Sequence, residues 1–154
     1  VTPETFEFAA ELVRKGAKLK EICRIALRKK SKAHCELEKI IYDRLEFLED
    51  GKIAFAYLNL EDYENTHAEM GDDEGLVEML RDIEDVEVAV LLKEKEGANG
   101  YKASLRSHET VNVSDICMLL GGGGHRGAAG CFINGTLDQA KTKIINAVKQ
   151  GLKK

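Results

Sequence analysis

The sequence predicts an α/β protein: a small mixed β-sheet flanked by helices, preceded by an all-helical connector arm. Three observations carry that prediction. Residues 1–50 read as helix in three successive runs. From Gly51 onward, strand-like apolar runs alternate with helical ones. Near the end stands Gly121-Gly-Gly-Gly-His125-Arg126-Gly127-Ala-Ala-Gly130, a stretch expected to form a close-approach loop. Four consecutive glycines suit neither a helix interior nor a strand interior, because each gives up more backbone freedom on ordering than any other residue.

The arm is marked by its helix ends. Thr2-Pro3-Glu4 supplies a cap, a proline at the first helical position and an acid near the positive end of the dipole. Phe6, Ala9, Ala10 and Val13 follow at helical spacing, and Gly16 closes the helix. Leu19 to about Lys30 reads as a second helix, with Ile22, Cys23, Ala26 and Leu27 inward and Arg28, Lys29 and Lys30 at its negative end. After Ser31 a third helix is expected to reach about Asp50, with Leu37, Ile40, Ile41, Leu45 and Leu48 as its stripe and Gly51 as its stop. The chain opens on Val1 and reads as a piece of a longer protein.

The second part, residues 51–154, carries the sheet. Lys52 to Leu60 is apolar on both alternations, which predicts a strand covered on both faces. Leu60 to Asn65 reads as a helical turn and Thr66 to Asp73 as a loop. Glu74 to about Ile83 reads as a helix capped by Asp72 or Asp73, burying Leu76, Val77, Leu80 and Ile83. Val86 to Leu92 is a second strand, Lys93 to Gly100 a hairpin connection, and Tyr101 to Ser107 a third strand. Alternation puts Lys102, Ser104 and Arg106 on one face of that strand, and Tyr101, Ala103 and Leu105 on the other. Asn112 and Asp115 form a capping box for a helix burying Val113, Ile116, Cys117 and Leu120. Ala129 to Ile133 is a short last strand. Thr136 and Gln139 cap a final helix with Leu137, Ala140, Ile144, Ala147 and Val148 inward.

Composition narrows the function classes. A net charge of −4 argues against a broadly basic nucleic-acid coat and leaves room for a local basic pocket. No apolar run approaches the ~20 residues of a membrane helix, so no membrane contact is expected, and four cysteines without a CxxC pair favour the cytoplasm. Cys23, Cys35, Cys117 and Cys131 form no CxxC pair and are expected as buried, reduced thiols.

The glycine stretch lies between two apolar segments, Val113 to Leu120 and Ala128 to Ile133, which pin it at both ends. Gly122, Gly123 and Gly124 let a ligand reach the backbone, and His125 and Arg126 place a titratable group and a fixed charge at its lip. The chemistry expected is binding of a phosphate or carboxylate. Arg106 is the next candidate, since its planar fork matches a phosphate and a strand mounts it rigidly; Ser104 shares its face. Glu74, Gly75, Asp72 and Asp73 are read as capping residues. His34 and His67 belong to no cluster with metal-ligand spacing, and no nucleophile elbow or GxxxxGK[ST] loop is present. The residues describe a binding site without catalytic residues or a metal site of its own.

Ser104-Leu-Arg106-Ser107, Val111-Asn-Val-Ser114 and Gly121 to Gly130 together closely resemble the C-terminal, DHH-associated domain of the DHH phosphoesterase family, in particular bacterial nanoRNase/pAp-phosphatase proteins and cyclic-dinucleotide phosphodiesterases. The likeness extends through Asp73-Glu-Gly-Leu76 and Val86 to Val90, and back to Thr2-Pro-Glu-Thr5. The resemblance implies a two-domain enzyme whose N-terminal domain binds two divalent metals, usually manganese, through an Asp-His-His motif absent from these residues. It implies that this chain holds the substrate, with Arg106 and His125 gripping phosphate and nucleotide portions of a short RNA or DNA oligonucleotide, pAp or a cyclic dinucleotide. Relatives commonly carry Lys-Asn where this chain has Arg126-Gly127. Residues 1–50 are then connector and 51–154 the binding domain, the chain alone being inactive. The alternatives are a free-standing nucleotide-binding regulatory module and a relative of tRNA-editing or nuclease proteins. Phe6, Phe8 and Phe47 are expected to stay exposed and to offer a surface for a homodimer.

Overall fold

β2 (Ile53–Leu58) explains why the sheet sits between two layers of helices. In this computed structural model, which describes residues 1–69, 71–108 and 110–153, Ile53 and Phe55 are buried on one face and Ala54, Ala56 and Leu58 on the other. A strand apolar on both alternations needs cover on both sides, as the sequence implied. β3 (Val88–Glu94) lies parallel to it, with Ile53 opposite Val88 and Leu58 opposite Lys93. Parallel neighbours need a crossover, supplied by α4 (Leu60–Thr66) and α5 (Leu76–Arg81). The chain then returns through a hairpin into β4 (Gly100–Ser107), antiparallel to β3. α6 (Val113–Met118) leads to β5 (Gly123–His125), β6 (Ala128–Asn134) and the closing helix α7 (Leu137–Leu152). With β1 (Glu46–Leu48) at one edge, the six strands run β1-β2-β3-β4-β6-β5. The mixed sheet, its flanking helices and the helical lead match the expected class.

The two faces are covered unequally, and this positions the site. One face is buried along its length: Ile53, Phe55, Val90, Leu92, Ala103, Leu105, Cys131 and Ile133 pack with Ile116 of α6 and Ile144 and Val148 of α7. Each such Ile or Val contributes about 1.5–3 kcal/mol by leaving water. The apolar cover of the other face is confined to β2 and β3, where Ala54, Ala56, Leu58, Ala89 and Leu91 meet Leu37 and Ile41 of α3 (Lys32–Asp43) and Leu76, Val77 and Leu80 of α5. No residue of β4, β5 or β6 belongs to that second core.

Several local expectations are corrected. The third helix stops at Asp43, and Glu46–Leu48 pairs antiparallel with β2 instead of continuing the helix to Asp50. At the break, Arg44 is tied across to α4 and β2. Its guanidinium holds both oxygens of Asp62 at 2.6 and 2.8 Å, reaches the Tyr57 carbonyl at 3.2 Å, and lies 4.5 Å from the Tyr57 ring centre. Glu49, Asp50 and Gly51 then take positive φ to close the β1–β2 turn. Leu45 and Leu48, three residues apart, fit a helical stripe, so local periodicity pointed to helix; in the structure they pack against opposite cores, Leu45 beside α3 and α5 and Leu48 beneath the other face. Asp72 and Asp73 do not cap α5; Gly75 holds the cap position, Asp72 accepts from the Glu69 amide, and Asp73 is drawn toward Tyr63 and Lys93. At α6, Asn112 accepts from the Ser114 amide, a one-sided cap in place of the expected box. The Thr136–Gln139 box of α7 forms as expected.

Residues Val1–Ser31 form a separate unit. Its first helix, α1 (Pro3–Arg14), begins behind Thr2 and is closed just past its end by Gly16 in a left-handed conformation, as read from sequence. Leu19–Cys23 (α2) continues into a π-helical turn over Arg24–Arg28, shorter and less regular than the expected helix to Lys30. Its inward residues find no core, because two short helices alone cannot enclose one: nothing in these helices is buried. Phe6 and Phe8 are exposed there, as is Phe47 on β1. Cys35 is exposed and Cys23 half-buried, so only Cys117 and Cys131 are the expected buried thiols.

Replacing Arg44 with alanine leaves the buried Asp62 without its countercharge. Arg44 is itself partly exposed, so the expected loss is roughly 2 kcal/mol, below the ~3–5 kcal/mol of a fully buried pair. Urea unfolding of R44A beside R44A/D62N checks this, the double variant being expected to recover part of the loss.

Candidate functional site

Strand register assembles the candidate residues before any side chain is considered. Arg106 on β4 stands opposite Ala128 on β6, and Ala128 opposite His125 on β5. Directly opposed residues share a face, so Arg106 and His125 rise from the same side of the sheet, about two strand spacings of ~4.8 Å apart. The next row is Ser104, Gly130 and Gly123. The row after that is Lys102 opposite Phe132. These rows lie beyond the apolar cover that α3 and α5 give β2 and β3, and form a shelf with a floor of small residues.

α5 is the wall of this shelf. A cavity of about 370 Å³ lies against it, lined by Glu74, Glu78, Lys93, Lys102, Ser104 and Arg106, among others. Arg106 Nε donates to Glu78 Oε1 at 2.7 Å and its NH1 to the Leu105 carbonyl at 3.0 Å. The guanidinium is thereby held flat with donors still to offer, and Glu78 Oε2 is buried without a hydrogen-bond partner among the described residues. Behind it, Asp73 Oδ2 accepts from Lys93 Nζ at 2.6 Å and from the Tyr63 hydroxyl at 3.0 Å. Burial pushes the Asp73 carboxyl up, but the Lys93 ammonium and the Tyr63 hydroxyl outweigh it and hold the group below the usual range. Burial, then the Asp73 charge, pushes the Tyr63 phenol up, so it stays a neutral donor.

The glycines have a different role from the one their sequence suggested. Gly123 and Gly124 lie in β5, not in a loop. Gly121, at φ +79°, ends α6: its N–H meets the Met118 carbonyl at 3.1 Å and that of Gly122 the Cys117 carbonyl at 2.9 Å, a Schellman-type ending. A Cβ on Gly122 would fall 2.2 Å from the Gly130 oxygen and 2.5 Å from Cys131 Cβ. One on Gly124 would fall 2.5 Å from the Ala128 oxygen. The close approach at these two positions is to the protein's own β6. Gly123, between them, faces open space on the shelf. The hairpin is also tied from outside: the Ser107 amide donates to Gly127 O, the Val113 amide to Arg126 O, each at 3.0 Å, and Ser114 Oγ to Gly124 O at 3.0 Å. These bonds fix the strand that carries the exposed His125.

The remaining candidates lie elsewhere. Arg126 lines a separate cleft with Asn112, Asp115, Leu119 and Gln150, on the side of α6 and α7. Structure brings together Arg106, Ser104, Gly123 and His125; it does not bring Arg126 to them. Cys117 and Cys131 are neighbours in the core, and the hydrogen bond to Cys131 together with burial holds the Cys117 thiol above its ordinary range, as befits a packing residue. His34 is engaged by Glu38 at 3.2 Å and the Asp72 carbonyl at 2.8 Å, and His67 ends α4 in a left-handed conformation. Among the described residues no group of three or more His, Cys, Asp or Glu is placed to hold a metal ion. Phe132, read from sequence only as part of an apolar strand, stands on the shelf; its alternation with Gly130 was the available signal.

Two outcomes follow from this geometry. G122A is expected to destabilise by about 1–3 kcal/mol, because backbone atoms of β6 have to move, while G123A stays within about 0.5 kcal/mol; thermal unfolding of both checks the contrast. Asp73 has a depressed pKa in the folded state, so its stabilisation is complete above the unfolded value near 3.8 and is lost as pH falls through the lower folded one. D73N is therefore expected to flatten the acid limb of stability below about pH 4, measured as denaturant midpoints across pH 2–6.

The DHHA1 domain model matches residues 50–154. The bifunctional oligoribonuclease and PAP phosphatase NrnA of Thermus thermophilus is 35% identical over 153 residues, covering 98% of this chain and 44% of that protein. An exopolyphosphatase-related protein from Bacteroides fragilis superposes with a TM-score of 0.88 at 25% identity, covering 97% of this chain and 44% of its own. A pGpG-specific phosphodiesterase from Vibrio cholerae shares the fold at a TM-score of 0.57 and 15% identity, over 98% of this chain and 53% of its own. The chain thus spans about half the length, or less, of these relatives. No helix among the described residues is long and apolar enough to cross a membrane. Matched over most of its length and in the region that builds the shelf, the chain belongs to the DHHA1 domain family.

Proposed function

We propose that this chain is the substrate-holding part of a metal-dependent phosphoesterase, and that it binds a short oligonucleotide, pAp or a cyclic dinucleotide on the uncovered half of its sheet. The observation that carries the reading is the row Arg106–Ala128–His125 on the open face, beside the small-residue floor of Ser104, Gly130 and Gly123. Arg106 grips a phosphate through the guanidinium donors that Glu78 and the Leu105 carbonyl leave free. His125 donates from the far side, and Gly123 lets the ligand rest on backbone. The relatives named as oligoribonuclease, PAP phosphatase and pGpG phosphodiesterase support this choice of ligand. Arg126 is left out of the grip, since it opens on another cleft.

Among the described residues no group of side chains fits a two-metal centre. The two divalent metals, manganese in our reading, belong to a catalytic domain that would face the shelf. Four free cysteines suit a reducing, cytoplasmic setting.

Calorimetric titration of pAp and pApA at fixed salt tests the proposal. Saturable binding is expected for the wild-type chain, weakened about ten-fold or more in R106A and in H125A, the scale of a hydrogen bond to a charged group. Unchanged affinity in both variants overturns the assignment. Added manganese is expected to give no turnover of a short oligoribonucleotide, and turnover by the purified chain would place the chemistry here after all.

A further inference from the structure

The shelf continues past Ser104 to a second cavity of about 380 Å³, lined by Lys95, Lys102, Gly123, Gly130, Cys131 and Phe132. Lys102 borders both cavities, so the two are parts of one surface. Phe132 is 40% exposed there, on a strand whose other large apolar residue, Ile133, is buried. Its ring is seated: a Cβ on Gly100 would lie 2.8 Å from Phe132 Cζ, so the absence of a side chain at Gly100 gives the ring its resting place. Its cross-strand neighbour Lys102 and nearby Lys95 are exposed and make no ion pair among the described residues. Lys93, by contrast, is neutralised by Asp73. An aromatic ring held on a glycine, open to solvent and set beside two uncommitted cations, is the combination that stacks a base while its phosphates are contacted.

We propose that Phe132 is a base-stacking residue and that Lys102 and Lys95 contact the adjoining phosphate, so that the shelf takes a base-bearing dinucleotide unit running from Arg106 to Phe132. Arg106 and Lys102 are four residues apart on β4, about 13 Å along the strand, which separates a phosphate end from a base end. A ligand made of phosphates alone has no use for the ring. The inference rests on the phosphate-holding reading of Arg106 and adds what lies at the other end.

The test compares pApA with an abasic dinucleotide of the same sugars and phosphates. F132A is expected to weaken pApA binding about ten-fold or more and to leave the abasic ligand unchanged. F132W keeps the affinity and introduces the chain's one tryptophan, since the native sequence has none; its emission is expected to be quenched by pApA and not by the abasic ligand. Equal affinity of F132A and wild type for pApA overturns the proposal. So does an equal loss for both ligands, which reduces Phe132 to a cover for Gly100. If R106A binds pApA normally while F132A does not, the phosphate grip fails and the base platform stands; if the wild-type chain binds neither ligand, both fall.

Discussion

The close contact of β5 with β6 is the constraint on which the site depends. Gly122 and Gly124 have no room for a β-carbon, because the Gly130 and Ala128 oxygens and Cys131 already occupy it. With side chains there, β5 would stand off from the sheet, and His125 would leave the row that it shares with Arg106. The helix before and the strand after are packed into the main core through Ile116, Cys117, Ala129 and Cys131. Burial of that core offsets the entropy of ordering so many glycines. Glycine is required here first by the protein and only then, at Gly123, by anything resting on it.

Unequal covering of the sheet turns this packing into a surface. A fully covered β4–β6–β5 face would be apolar, like its reverse. Instead, every second residue there is small, cationic or aromatic: Lys102, Ser104 and Arg106 on β4, Gly130 and Phe132 on β6. The antiparallel strands can afford one solvated face, whereas the parallel pair β2–β3 cannot. α5 ends the covered region and supplies Glu78, which orients Arg106.

Electrostatics places several cations on one face of an acidic chain. The chain carries a net charge of −4, and the shelf sets Arg106, Lys102, Lys95 and His125 beside Asp73, Glu74 and Glu78. Glu78 and Asp73 each hold a cation in place. Glu78 leaves one buried oxygen unsatisfied, a cost accepted for a fixed guanidinium. Anchored and uncommitted cations thus occupy different parts of one surface, which keeps the attraction local.

The sequence by itself determined the class, most elements and the ranking of Arg106 and His125, because those rest on local periodicity, caps and alternation within one strand. It fixed the face shared by Ser104 and Arg106 before any neighbour was known. It took Leu45 to Leu48 for helix, because that spacing is helical and the pairing with β2 that makes a strand there is tertiary, and it took Asp73 for a cap when Lys93 and Tyr63, distant in sequence, claim it. Only tertiary structure decided that the glycines pack against β6, that Arg126 turns to another cleft, and that Phe132 stands on the shelf. Each depends on strand order and on which face a helix leaves bare. Those are set by contacts between segments far apart in the chain, which no local pattern encodes.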